Sequence, residues 1–150
     1  MTARSTEHAT FVIERAFTAP TERVFAAWAT AEAKLKWFGP RDAAKNYDFE
    51  FRTGGHERFQ ADVADGVRYA YDALYQDIVE GERIVYTYEM YRNEDRISVS
   101  VATIEFVAAE GGTTLTMTEQ GVYLDGHDTL AAREHGTREM IGKLAEVMSS

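Results

Sequence analysis

The stretch that decides the fold begins with Phe11-Val-Ile-Glu-Arg-Ala-Phe17, continues through Ala19-Pro20 and ends at Trp37-Phe38-Gly39-Pro40. Apolar and polar residues alternate over about residues 9–17, which predicts a strand that stops just before Pro20. A strand followed by a proline and then by an aromatic Gly-Pro corner indicates a chain that turns sharply after its first strand.

Two short helices are predicted between the strand and this corner. Proline is well suited to the start of a helix, and Val24, Phe25 and Trp28 follow Pro20 at helical spacing. The first helix is therefore expected over residues 21–29 and the second over residues 31–37, since Gly39-Pro40 ends the second one.

Strands separated by tight turns are predicted for the middle of the chain. Turn sequences such as Asp65-Gly66 and Glu110-Gly111-Gly112 supply the positive φ that hairpins need. The connections are short, so all seven strands are expected to form an antiparallel meander. The six predicted strands that follow the first one span residues 46–52, 56–64, 67–79, 82–91, 96–108 and 112–120.

The last segment, residues 128–148, has the period of a long amphipathic helix, with Asp128 as its expected N-cap. Its apolar stripe contains Leu130, Thr137, Met140, Ile141, Leu144 and Met148. The predicted fold class is α+β, with a curved seven-stranded antiparallel sheet around this helix and two short helices after strand one. Residues 9–150 are expected to form a single domain after a short flexible lead-in, residues 1–8.

Composition excludes several classes of partner. The chain has 150 residues and a formal net charge of -9, which disfavours nucleic acid and anionic membrane surfaces. It contains no cysteine, and its N-terminal residues lack the apolar segment of a secretory signal, so a cytoplasmic location is expected.

An inward-facing row of aromatic residues is the main sign of a pocket. In the segment 84–90, Ile84, Tyr86, Tyr88 and Met90 alternate with smaller or polar residues and are expected to face the long helix. The preceding strand contributes Tyr69 and Tyr71 in the same way. Buried phenols need hydrogen-bond partners, which are either one another and the backbone in a filled core or a ligand in a cavity.

A few polar residues are candidates for chemistry. Period-two alternation turns Ser98, Ser100, Met117 and Glu119 inward, and a desolvated Glu119 is the best candidate for an acid or base, although a solvated or arginine-paired carboxylate is the alternative. Gly136 within the last helix allows a neighbour or a ligand to approach the helix closely, and close packing of a strand is the favoured interpretation. The four histidines do not converge in the predicted fold, so no metal and no cofactor are expected.

Several segments together resemble one known family. They are Phe11-Val-Ile-Glu-Arg15, Ala19-Pro20, Val24-Phe25-Ala-Ala-Trp28, Trp37-Phe38-Gly39-Pro40, Glu82-Arg83-Ile84-Val85, Thr103-Ile-Glu105-Phe106, Gly112-Thr-Thr-Leu115 and the closing helix. In this order, from about residue 10 to 148, they resemble the AHSA1-like (activator of Hsp90 ATPase homologue) branch of the START/Bet v 1-like, or SRPBCC, superfamily. The resemblance implies a helix-grip fold with a cavity between sheet and helix. Many relatives carry a tryptophan near the start of the last helix, where this chain has Glu134-His-Gly-Thr-Arg-Glu-Met140.

The resemblance implies a binding function with open alternatives. The superfamily includes lipid and steroid carriers, polyketide cyclases and hydrolases, so the prediction is binding of a small hydrophobic or aromatic molecule, with a cyclase- or hydrolase-type enzyme or an Hsp90-interaction module as alternatives. A homodimer is also left open. The residues expected to bind the ligand are Trp37, Phe38, Tyr69, Tyr71, Tyr86, Tyr88, Met90, Ser100, Met117, Glu119, Thr137, Met140, Ile141 and Leu144.

Overall fold

The fold is a single curved sheet that holds one long helix against its concave face. The computed structural model describes residues 3–39 and 46–149, so Pro40 of the predicted aromatic corner lies outside the described residues. The elements, in chain order, are β1 (Thr6–Phe17), α1 (Thr21–Ala29), α2 (Ala31–Lys34), β2 (Asp48–Phe49), β3 (His56–Asp62), β4 (Arg68–Val79), β5 (Arg83–Arg92), β6 (Asp95–Ala109), β7 (Gly112–Leu124) and α3 (Leu130–Ser149).

The sheet is antiparallel throughout, with the strand order β1-β7-β6-β5-β4-β3-β2. Consecutive strands are neighbours from β2 to β7, as the short turns require, and β1 closes the other side by pairing with β7. This arrangement confirms the predicted seven-stranded α+β fold, including the two short helices after the first strand. The expected meander of all seven strands was wrong for β1, which pairs with β7 and not with β2.

Strand lengths differ from the prediction at β1, β2 and β7. β1 and β7 pair along their whole length, from Thr6 opposite Leu124 to Phe17 opposite Thr113, so each strand extends the other beyond its own apolar pattern. β2 has only two residues, because the chain then turns tightly enough for the Arg52 N–H to donate to the Glu50 carbonyl. A Cβ at Gly55 would lie 2.2 Å from that same carbonyl oxygen, which explains the glycine.

Side chains cap two of the helices. The Thr30 hydroxyl accepts a hydrogen bond from the Ala33 N–H at the start of α2. The Thr129 hydroxyl accepts one from the Ala132 N–H, so Thr129 caps α3 and the prediction of Asp128 as the N-cap was wrong. Asp128 instead accepts the Thr129 N–H and an arginine of α3.

The core joins the short helices, the concave face of the sheet and the second half of α3. Trp28 packs edge-on against Trp37 with 4.6 Å between ring centroids, and the Trp37 indole N–H donates to the Ala27 carbonyl. Ile141 and Leu144 of α3 are buried in the same core. Within residues 3–39 and 46–149, none of the helices combines the length and the apolar character that crossing a membrane demands.

Candidate functional site

A cavity of about 260 Å³ lies between the sheet and the first half of α3. Its walls are mostly aromatic rings and methionines, with polar groups gathered where α3 begins. The lining residues are Phe38, Gly39, Phe59, Tyr71, Tyr86, Tyr88, Met90, Met117, Glu119, Asp128, Ala132, Arg133, Gly136, Thr137 and Met140.

Small residues on α3 leave this space open. Ala132 and Gly136 face the cavity, and a Cβ built at Gly136 would meet no atom within 4 Å. The interpretation of Gly136 as a close strand contact was therefore wrong. One to two turns further on, the large side chains of Ile141 and Leu144 fill the corresponding space.

Arg133 organises the polar end of the cavity. Its Nη1 donates to the Tyr88 hydroxyl at 2.9 Å, and its Nη2 donates to Ser98 Oγ at 2.8 Å and to Asp128 Oδ2 at 2.7 Å. The Tyr88 hydroxyl in turn donates to Glu119 Oε2 at 2.9 Å. One arginine of α3 thus connects the side chains of β5, β6 and β7.

Glu119 is a buried carboxyl beside a single cation. Its side chain is 2% exposed and its Oε2 lies 3.8 Å from Arg133 Nη1. Burial raises the pKa of Glu119, while Arg133 and the hydrogen bond from Tyr88 oppose the rise. Burial also raises the pKa of Tyr88 well above its usual value and that of neighbouring Tyr123 to about 12, so both phenols stay protonated near neutral pH.

A second buried ionic group lies outside the cavity lining. The Lys34 ammonium donates to Glu57 Oε1 at 2.5 Å, and both side chains are almost completely buried. Tyr75 donates to the same carboxylate oxygen at 2.5 Å and Tyr47 donates to Glu57 Oε2 at 2.6 Å. Three donors therefore satisfy this carboxylate inside the core.

Aromatic rings surround the Lys34 ammonium. Its Nζ lies 4.4 Å from the centroid of Phe38 and 5.6 Å from the centroids of Trp28 and Tyr86. Burial lowers the pKa of Lys34, and the charge of Glu57 opposes that shift. Since Phe38 and Tyr86 also line the cavity, this ion pair supports the cavity wall from behind.

Nine of the residues that the sequence predicted for the site line the cavity. They are Phe38, Tyr71, Tyr86, Tyr88, Met90, Met117, Glu119, Thr137 and Met140. Five others lie elsewhere in the structure: Trp37, Tyr69, Ser100, Ile141 and Leu144.

The position of each of these five has a physical reason. Trp37 packs on Trp28 in the core, and Ile141 and Leu144 fill the tight half of α3. Tyr69 lies at the start of β4, beside Ala61 of β3 and Arg92 of β5, beyond the cavity. Ser100 lies between Tyr88 and Gly121 within the sheet, and its hydroxyl is buried without a hydrogen bond to any described residue.

The sequence prediction missed the charged residues Lys34, Glu57, Asp128 and Arg133 as parts of buried groups. A signal existed for two of them. Glu57 lies on the same face of β3 as Phe59 and Ala61, which are both buried. Arg133 precedes Thr137 by four residues and so lies on the same stripe of α3. Because charged residues are usually exposed, these positions were not expected to be buried even though they follow the buried pattern.

One alternative site is less suited to hold a ligand. A wider groove of about 780 Å³ beside β3 and β4 shares Phe59 and Tyr71 with the cavity, but its charged side chains include the pair Arg58–Asp72, which is already joined at 3.1 Å. In the part of the chain that the structure describes, no group of three or more metal-ligating side chains converges. His135 is exposed on α3 and pairs with Glu139, as its distance from the apolar stripe suggests.

Comparison with known proteins places this architecture in context. The family model described as "Activator of Hsp90 ATPase homolog 1-like protein" matches residues 18–149. Among curated proteins, none matches the sequence significantly. A solved structure of an uncharacterised protein from Rhizobium leguminosarum is 47% identical, covers 99% of each chain and superposes with a TM-score of 0.93.

Other solved structures extend the comparison. The Mll3558 protein from Rhizobium loti is 39% identical over 95% of this chain and 98% of its own, with a TM-score of 0.89. DynU16, a protein of the dynemicin biosynthetic locus, is 17% identical over 94% of this chain and 47% of its own, with a TM-score of 0.71. At that identity the likeness to DynU16 concerns the fold alone.

Proposed function

The chain belongs to the family of activator of Hsp90 ATPase homolog 1-like proteins, and we propose that it binds a small hydrophobic or aromatic molecule in the cavity under the first half of α3. The observation that carries the proposal is a space of about 260 Å³ walled by aromatic and methionine side chains with a few converging polar groups. Cavities of this composition are typical ligand sites, and methionine adapts to ligands of irregular shape.

The arrangement of α3 supports the proposal. A helix that only completed a core would be expected to carry large side chains along its whole buried stripe, as it does at Ile141 and Leu144. Instead, Gly136 faces the cavity at a cost of about 1 kcal/mol of helix stability relative to alanine. The space is compatible with a ligand of one or two fused rings, since a site of about 150 Å³ holds benzene.

Native mass spectrometry and a thermal-shift screen of small lipophilic compounds test the proposal. A ligand at 100 times its Kd should stabilise the protein by about 2.7 kcal/mol. Gly136→Leu, which fills the cavity, should abolish the shift, whereas the matched control Gly142→Leu should keep it because Gly142 is on the same helix but outside the lining. A library without any stabilising compound, or an equal shift for Gly136→Leu, would contradict the proposal.

An enzyme of the polyketide cyclase or hydrolase type is the second candidate, and Glu119 favours it. A buried carboxyl with a raised pKa, bonded to Tyr88 and bordering a cavity, is suited to proton transfer. Small aryl esters and polyketide-like carbonyl compounds that bind should then be converted by the wild-type protein but not by Glu119→Gln. Binding without conversion of any of these compounds would count against an enzyme. Interaction with Hsp90 and formation of a homodimer remain predictions.

A further inference from the structure

The polar end of the cavity has more negative than positive groups. Arg133 is its one cation among the described lining residues, and it faces the carboxyl groups of both Glu119 and Asp128. Lys34 lies behind the wall and is neutralised by Glu57. A ligand that enters this end therefore meets an excess of acceptor oxygen.

The protein already uses three of the five N–H donors of Arg133, including both of those on Nη2. Its two terminal nitrogens bond Tyr88, Ser98 and Asp128, and its side chain is 11% exposed. Arginine binds a carboxylate most strongly through two parallel N–H donors, and that arrangement is not free here. A ligand carboxylate would have to displace Asp128 or approach Glu119 without a cation of its own.

Glu119 still has an acceptor to offer. Its Oε2 accepts the Tyr88 hydroxyl, while its Oε1 accepts no hydrogen bond from the residues that the structure describes. Glu119 as a whole is 2% exposed and lines the cavity, and its Oε1 is not one of the fully buried atoms without a partner, so the access that Oε1 has is to the cavity. An acceptor without a protein partner that is open to the cavity is available to a donor on the ligand.

The rest of the wall defines the body of the ligand. The rings of Phe38, Phe59 and Tyr71 lie within 5.2–5.8 Å of one another, and Met117 and Met140 add flexible apolar surface. Aromatic rings pack on one another in offset or edge-on arrangements, and methionine sulfur also contacts ring edges favourably.

We propose that the cavity selects a one- or two-ring aromatic molecule bearing a hydrogen-bond donor, a hydroxyl or an amine, that bonds Glu119 Oε1, and that it rejects the same ring bearing a carboxylate. This inference rests on the proposed binding function and assigns its specificity to Glu119, with Asp128 adding to the rejection of anions. A hydroxyl and a protonated amine share the donor chemistry, and only the amine gains from the negative charge.

Four compounds with one ring system test the specificity. Isothermal titration of the full chain with 2-naphthol, 2-(aminomethyl)naphthalene, 2-methoxynaphthalene and 2-naphthoate compares a hydroxyl, an ammonium, a group without a donor, and an anion. The hydroxyl and ammonium compounds should bind at least about tenfold more tightly than the methoxy compound, and the carboxylate should bind most weakly.

Substitutions at Glu119 and Asp128 test whether these residues determine the specificity. Glu119→Gln should reduce the advantage of the ammonium compound about tenfold and improve 2-naphthoate, and Asp128→Asn should improve 2-naphthoate while leaving Oε1 in place. Glu139→Gln removes the same charge from the exposed face of α3 and should change neither affinity.

Other outcomes overturn the proposal. Equal affinity for the methoxy and hydroxyl compounds, or tightest binding by the carboxylate, would refute the specificity and leave the binding function standing. Failure of all four compounds to bind would also refute it, and the lipophile screen would then decide separately whether the cavity binds any ligand.

Discussion

The carboxylates of Glu57 and Glu119 are both buried, but they accept different numbers of hydrogen bonds. Glu57 accepts bonds from Lys34, Tyr75 and Tyr47, so both of its oxygens are occupied. Glu119 accepts only the Tyr88 hydroxyl among the described residues. A fully bonded carboxylate fits a structural role, whereas one with an oxygen left over fits a binding site.

The Lys34–Glu57 pair should be sensitive to loss of one partner. Glu57→Gln removes the counter-ion of an ammonium that is about 1% exposed and should lower the free energy of unfolding by about 3–5 kcal/mol. Replacing both partners, as Lys34→Met with Glu57→Gln, should recover most of that loss because no buried charge remains. Urea unfolding of these two variants and the wild type measures both effects. If the free energy of unfolding of Glu57→Gln is within 1 kcal/mol of that of the wild type, the buried ammonium does not depend on Glu57 as its counter-ion.

Residue periodicity predicted which side chains point inward but not which ones pair. The alternation through Leu115 and Met117 was sufficient to predict Glu119 on the inner face, and Glu119 is buried there. Its link to Arg133 depends on how α3 lies across β7, which a period within either element does not contain. The enclosure of Lys34 likewise depends on a long-range contact between α2 and β3.

At the scale of elements, α3 has two halves with different tasks. Its first half carries Ala132 and Gly136 over the cavity, and its second half carries Ile141 and Leu144 into the core. The predicted apolar stripe included members of both halves, since hydrophobicity alone does not distinguish a packed surface from an open one. The missing side chain at Gly136 is what separates them.

The two glycines of α3 offer a matched test of this division. Gly136→Ala and Gly142→Ala should each raise the free energy of unfolding by up to about 1 kcal/mol, because both are helical and a Cβ at either meets no atom within 4 Å. Only Gly136→Ala adds a methyl group to the cavity, so only it should weaken ligand binding. Thermal unfolding with and without a ligand from the screen measures both. Destabilisation by Gly136→Ala would mean that the space is not free.

Strand boundaries were predictable where the apolar pattern itself ends at a turn, as at β4 and β5. Strand boundaries were not predictable where pairing with a neighbouring strand determines the last residue. β7 was expected to end at residue 120 but continues to Leu124 because β1 pairs with it that far. The extension places Glu119 within the strand and not at its end, which is why the expectation of a solvated strand-end carboxylate does not apply.

At the scale of the whole molecule, Arg133 joins the parts that enclose the cavity. It reaches from α3 to β5 and β6 through Tyr88 and Ser98, and it lies near Glu119 of β7. The first strand of the fold is paired with the last, so the sheet alone holds β1 and β7 together. Arg133 instead fixes the first half of the helix over the sheet, where the large core side chains are missing.

Arg133→Met should therefore destabilise the protein in a manner that depends on pH. The pKa of Glu119 is raised by burial above its unfolded value, so the native state holds this proton more tightly than the unfolded state. Stability is then lost as pH rises from the unfolded pKa through the folded one. Without Arg133, which opposes the rise, the folded pKa moves higher and the loss becomes larger and extends to higher pH.

Urea unfolding at pH 5 and pH 8 measures this dependence. Arg133→Met should be about 3–5 kcal/mol less stable than the wild type at pH 8, and the difference should be smaller at pH 5, because protonation of Glu119 at lower pH removes the charge that the arginine compensates. Arg138→Met, which removes a half-exposed arginine paired with Glu134 on the same helix, should cost about 1 kcal/mol or less at both values of pH. A difference between wild type and Arg133→Met that is the same at both pH values would show that the arginine stabilises the helix by packing and not by compensating Glu119.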